Sequence, residues 1–94
     1  MNKHVNLRRR APIPLDLGGA FIRRADLSGA YLAGADFSGA DCTNANFRGA
    51  DFEGAILEGT ILKGADLRDA RNLTKQQIES AIIDAKTLLP AGLL

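Results

Sequence analysis

The chain has 94 residues, a single-domain length at which a compact core buries only about 60 to 65% of the unfolded surface. Apolar residues make up 46% of it but aromatic residues only 5%, with no tryptophan, so any core is built from small parts. The formal charge is +1, and the single cysteine, Cys42, excludes an intrachain disulfide and cannot make a zinc site alone.

The N-terminal segment is basic. Lys3, Arg8, Arg9, Arg10, Arg23 and Arg24 face only Asp16 before position 25, and from Ala25 onward acids exceed bases. Residues 1–14 read as a flexible arm whose Arg8, Arg9 and Arg10 either only solubilise the chain or touch an acidic protein, nucleic acid or anionic lipid. The arm lacks the apolar stretch and cleavage site of a secretory signal, and no run approaches the roughly 20 apolar residues of a membrane span, so the expected location is cytoplasmic. Pro12 and Pro14 keep the chain extended, so Ala11 to Leu15 either covers the first coil of the array that follows or simply ends it; a dimer through this end is the other option.

From Leu15 a five-residue frame runs without insertion or deletion: LDLGG, AFIRR, ADLSG, AYLAG, ADFSG, ADCTN, ANFRG, ADFEG, AILEG, TILKG and ADLRD, ending at Asp69. A helix repeats near 3.6 residues, so this spacing would spiral the apolar residues around it, and each glycine would add about 1 kcal/mol of cost. A continuous strand alternates with period two, so an odd repeat would send successive leucines to opposite faces. The remaining solution is a short extended piece and a corner, repeated, with four sides closing a square. Glycine ends most repeats because a corner often needs positive φ, and Asn44 is the substitute that tolerates it best; Arg24 and Asp69 break the rule at the ends of the array.

The motif A-(D/N)-L-x-x over Leu15 to Asp69 resembles that of the pentapeptide-repeat family. The resemblance implies an all-β solenoid, a right-handed quadrilateral β-helix of slightly under three coils over residues 15–69. With four repeats to a coil, residues twenty apart stack, and Leu27, Leu32, Phe37, Cys42, Phe47, Phe52, Leu57, Leu62 and Leu67 form the inward core, with Leu17 and Ile22 above them. Alanines and Thr60 fill the narrower inward position.

Residues 70–94 read as a helical cap and tail. Leu73, Thr74, Gln77 and Ile78 fit a capping box with a hydrophobic staple, Thr74 as N-cap and Gln77 at N3, opening a helix from about Lys75 to Ala85. Its stripe Ile78, Ala81, Ile82 and Ala85 is expected to lie over the last coil.

The repeat accounts for most residues that might suggest chemistry. His4 lies in the arm, and Cys42 is core filler with no base in reach. Asp26, Asp36, Asp41, Asp51 and Asp66 occupy the second motif position, where the family resemblance implies an outward Asp or Asn, and the glycines mark corners with no P-loop lysine following. The chain is therefore expected to be neither an enzyme nor a binder of metal or cofactor.

Departures from the motif are the informative positions. Phe21, Tyr31, Ile56 and Ile61 put an apolar side chain where Asp or Asn is due, and Arg23 and Lys63 flank the face that Phe21 and Ile61 share. These six residues are the candidate interaction surface of a scaffold for a protein partner or for a second copy, set against the view that scattered apolar surface residues are ordinary. No aromatic interleaving or recognition helix points to sequence-specific nucleic-acid reading. Some family members bind DNA gyrase as acidic mimics of duplex DNA and confer inhibitor resistance; that alternative calls for a longer rod and a stronger negative field than this sequence offers.

Overall fold

The computed structural model describes residues 14–93. His4 and Arg8, Arg9 and Arg10 lie outside the described residues.

Each repeat builds one side of a square coil. An alanine and the large apolar residue two positions on point inward, and the residue between them points out, the alternation of a strand cut to a single pair. The outward residues bridge in parallel from coil to coil: Asp16 to Asp36 to Ile56, Phe21 to Asp41 to Ile61, Asp26 to Asn46 to Asp66, and Tyr31 to Asp51 to Arg71. These four columns define faces A, B, C and D in chain order, so that B lies opposite D. The register is the twenty-residue stacking expected from four repeats per coil. The Leu17 N–H donates to the Asp36 carbonyl at 2.7 Å, the Asp36 N–H returns to the Leu15 carbonyl at 2.9 Å, and the exchange repeats down every face.

Corners join the sides. The N–H that opens each repeat donates back to the carbonyl of the preceding large residue, as from Ala40 to Phe37 at 2.9 Å. The residue before it is left-handed, as the third position of a type II turn requires: φ is 67° at Gly39 and 61° at Asn44. Arg24 and Asp69 adopt the same conformation, with φ of 59° and 62°. The closed coil dictates this geometry, and a side chain at the corner bears the strain.

Inward residues stack in layers. The middle coil contributes Phe37, Cys42, Phe47 and Phe52, all buried, with Phe47 and Phe52 ring centroids 5.3 Å apart and Phe37 and Phe47 5.9 Å apart at 87°. Three rings and one thiol fill a cross-section that four aliphatic side chains, Leu17, Ile22, Leu27 and Leu32, fill in the first coil, which explains a small residue at position 42. Leu32, Leu57, Leu62 and Leu67 are buried, whereas Leu17, Ile22 and Leu27 in the first coil are only partly so. Thr60, buried in an alanine position, satisfies its hydroxyl by donating to the Phe37 carbonyl at 2.7 Å.

The array ends where the inward position passes to Asn72. That residue is left-handed, with φ of 59°, and its side-chain amide donates to Asp51 Oδ1 at 2.9 Å instead of entering the core. The chain then turns into helix α1, Lys75–Ser80, opened by the expected capping box: the Gln77 N–H donates to Thr74 Oγ1 at 3.1 Å and the Thr74 N–H to Gln77 Oε1 at 2.7 Å.

The helix is shorter than the sequence suggests. It stops at Ser80 rather than Ala85; Ala81 is extended, with ψ of 171°, and Ile82 leaves the expected helical stripe to extend face B. The Ile82 N–H donates to the Thr60 carbonyl at 2.8 Å and its carbonyl accepts from Leu62 at 2.7 Å. Leu88 does the same on face C, pairing with Ala65 and Leu67. Open solenoid edge groups compete for this backbone, and β-branched Ile82 and Ile83 favour the extended form. The ladder therefore extends past Asp69: Arg71 completes the third coil and the tail adds two rungs of a fourth. No helix among the described residues is long and apolar enough to cross a membrane.

Candidate interaction surface

The outward Asp and Asn side chains hold the corners. Oδ1 of Asp16, Asp26, Asp36, Asp41, Asn46, Asp51 and Asp66 accepts the backbone N–H two residues on at 2.8 to 3.1 Å. Each is an Asx turn that fixes the first residue of the corner. These carboxylates are consequently structural. Ser38 holds the Asp36 carboxyl below the usual carboxylate range; the Thr43 hydroxyl, then Arg23, do so for Asp41, and Arg68 does so for Asp66. Asp51, expected outward in solvent, is instead buried, because Asn72 folds over it.

Phe21, Tyr31, Ile56 and Ile61 supply no such acceptor, so Arg23, Ala33, Glu58 and Lys63 lack the Asx bond at their corners. A hydrogen bond of this kind contributes about 1 kcal/mol net. Each apolar substitution thus gives up local stability while exposing carbon to water.

The structure groups these positions unequally. Phe21 and Ile61 share face B, with Asp41 between them and Ile82 beyond, as one straight column. Phe21 is the most exposed large apolar residue described, at 72%, and Ile82 is 43% exposed, while Ile61 is half-buried. Arg23 stacks its guanidinium over the Phe21 ring at 5.1 Å and donates from Nε to Asp41 Oδ2 at 2.8 Å. One side chain thereby neutralises the carboxylate that interrupts the apolar column. Lys63 lies exposed at the edge between faces B and C, in the corner column of Arg23.

Ile56, 47% exposed, lies around the corner on face A, with Glu58 at the edge between it and Ile61. Tyr31 stands on face D, opposite Phe21 and Ile61, and cannot share a contact surface with them. Ile82, Ile83 and Leu88 add exposed apolar area that the sequence reading assigned to the helix and its tail. The adjacent Ile82 and Ile83, a β-branched pair following the capped helix, are the signal in the sequence for this extended segment.

Cys42 has no part in the surface. It is fully buried, and burial, aided by the Asp41 charge, pushes its thiol up to about 12.

The family model for pentapeptide repeats matches residues 16–41 and 35–71, with eight copies. Among solved structures, the chain is similar to a pentapeptide repeat protein from the cyanobacterium Cyanothece 51142, at 27% identity and a TM-score of 0.65 over 79% of this chain and 53% of that one. A pentapeptide repeat protein from the thylakoid lumen of Arabidopsis thaliana aligns at 28% identity and a TM-score of 0.60, over 81% of this chain and 55% of that one. One from Nostoc PCC 7120 aligns at 34% identity and a TM-score of 0.59, over 82% of this chain and 71% of that one. The chain spans about half the length of the first two of these proteins. No curated protein matches it.

Proposed function

The chain belongs to the pentapeptide-repeat family and has its right-handed quadrilateral β-helical fold, and from this we propose that it is a non-enzymatic scaffold that presents face B, together with Ile56 around the corner on face A, to a protein partner. The supporting observation is the forfeited turn bond. Where the repeat supplies Asp or Asn, the chain stabilises its own corner; at Phe21 and Ile56 it exposes an apolar group instead, and at Ile61 it places a half-buried one. A local rule broken at three neighbouring positions, with only the Arg23 stack on Phe21 set against the loss, marks a place for something outside the chain. A cytoplasmic location is part of the same proposal.

Mimicry of duplex DNA gains nothing from this geometry. The four rungs of face B span only about 14 Å, and two of the four corner columns carry Arg23 and Lys63, and Arg48 and Arg68.

The test is Ile56→Asp combined with Ile61→Asp. Each aspartate supplies the acceptor its corner lacks, so the variant is expected to fold at least as well as the native chain. Affinity capture from the native host, quantified by mass spectrometry, is expected to lose partners enriched by the native chain; unchanged capture rejects the surface.

A further inference from the structure

We infer that the occupant of face B is an acidic amphipathic α-helix, an inference that rests on face B being the interaction surface. Shape comes first. The outward column Phe21, Asp41, Ile61, Ile82 is one residue wide and rises about 4.8 Å per rung. Three of its four positions are apolar and the fourth, Asp41, is paired by Arg23. A helix advances about 5.4 Å per turn, so a little under three turns cover the roughly 14 Å from Phe21 to Ile82, with apolar residues over Phe21, Ile61 and Ile82 and one turn over the Arg23-paired Asp41.

Other occupants fit less well. The backbone N–H and C=O groups of Asp41 and Ile61 are already bonded to neighbouring coils, so an added extended segment finds no edge to pair with on this face. A second solenoid laid flat would bury on the order of 350 Å² per partner on one four-rung face, against about 800 Å² for a standard stable interface. A helix on the same face buries no more area, so its contact is a weak one; what it brings is a backbone already satisfied and a flank free to carry the charge that the basic edge calls for.

Charge sets its polarity. Arg24, Lys63 and Lys86 lie along the edge of face B toward face C, all exposed and with no ion pair among the described residues, and they outnumber Asp84, the acid on that edge, whose carboxylate accepts from the Gly64 and Lys86 N–H groups. Glu58 marks the other edge. A docked helix therefore carries carboxylates on the flank facing Arg24, Lys63 and Lys86, and none facing Glu58.

The test is a nitrogen-15 NMR titration of the whole 94-residue chain with a synthetic amphipathic peptide bearing one leucine stripe and a glutamate flank. Two controls carry lysine for every glutamate, or two central prolines. The acidic helical peptide is expected to saturate shifts at Phe21, Ile61, Lys63 and Ile82, and each control to bind at least about tenfold more weakly. Arg24→Glu with Lys63→Glu is expected to reverse the preference toward the lysine peptide. Equal affinity for both charges, no dependence on helicity, shifts centred on another face, no saturable binding, or tighter binding to phosphatidylserine vesicles overturns the inference. A host partner lost with Ile56→Asp and Ile61→Asp, but insensitive to Arg24→Glu with Lys63→Glu, would leave the interaction surface standing and remove only the acidic helix.

Discussion

Gln77 Nε2 donates to the Phe52 carbonyl at 2.9 Å, and the same nitrogen reaches the Ala55 carbonyl at 2.9 Å. One amide thus closes the capping box through its oxygen and ties the helix to a solenoid corner through its nitrogen. A helix of six residues does not persist alone in water, so this anchor and buried Ile78 hold it. Gln77→Ala is expected to cost about 2 to 3 kcal/mol. Gln77→Glu, usually harmless at this helix position, is expected to cost about 1 to 3 kcal/mol, because a carboxylate then faces two carbonyls. Urea unfolding followed by circular dichroism checks both; a neutral Gln77→Glu would contradict the anchor.

Corner strain gives an opposite sign. Arg24 holds a φ of 59° that glycine adopts freely, so Arg24→Gly is expected to stabilise the chain by about 0.5 to 1 kcal/mol despite glycine's greater unfolded entropy. Gly39→Ala, at φ of 67°, is expected to destabilise by about 1 to 2 kcal/mol. Thermal melts that rank the two substitutions the other way would refute the account of the corners.

The core tolerates little added volume. Ala45 is 1% exposed and faces the aromatic layer, so Ala45→Leu is expected to cost more than about 3 kcal/mol and to unfold much of the chain. The Cys42 thiol, with burial pushing it up to about 12, is expected to resist alkylation at pH 8 until denaturant is added. Soluble, cooperatively melting Ala45→Leu, or rapid alkylation of the native thiol, would contradict the layered packing.

Acid weakens the corners. The carboxyls of Asp36, Asp41 and Asp66 bind protons less readily in the fold than in the unfolded chain. Their stabilisation is therefore complete above the unfolded carboxylate range of about 4 and is lost as pH falls through the lower folded values. Tm is expected to drop between pH 5 and pH 2. Asp36→Asn with Asp66→Asn is expected to flatten that drop while changing Tm little at pH 7, since Asn46 closes the same turn through its amide oxygen at 3.0 Å. An unaltered slope would mean that these turns do not set the acid sensitivity.

Much of this was legible because a period of five is incompatible with one helix or one strand, and residues twenty apart then had to stack: Phe37 does lie one coil above Leu57. The capping box was equally local, since Thr74 and Gln77 need only each other. What escaped depends on partners far along the chain. Ile82 fits a helical stripe by spacing, and only the open backbone of Thr60 and Leu62 draws it into the ladder. Asp51 looks like every other outward aspartate until Asn72 covers it. The shared face of Phe21 and Ile61, with Ile56 across the corner, follows from the stacking alone, but Tyr31, grouped with them as a motif departure, lies on the opposite face.

That separation supplies the most direct measurement. A photo-cross-linking amino acid at position 61 on face B, compared with one at position 31 on face D, reports which side meets the partner in the native host. Cross-links to one protein from position 61, absent from position 31, are predicted. Cross-links from position 31 alone, or equally from both, would contradict the assignment of function to face B.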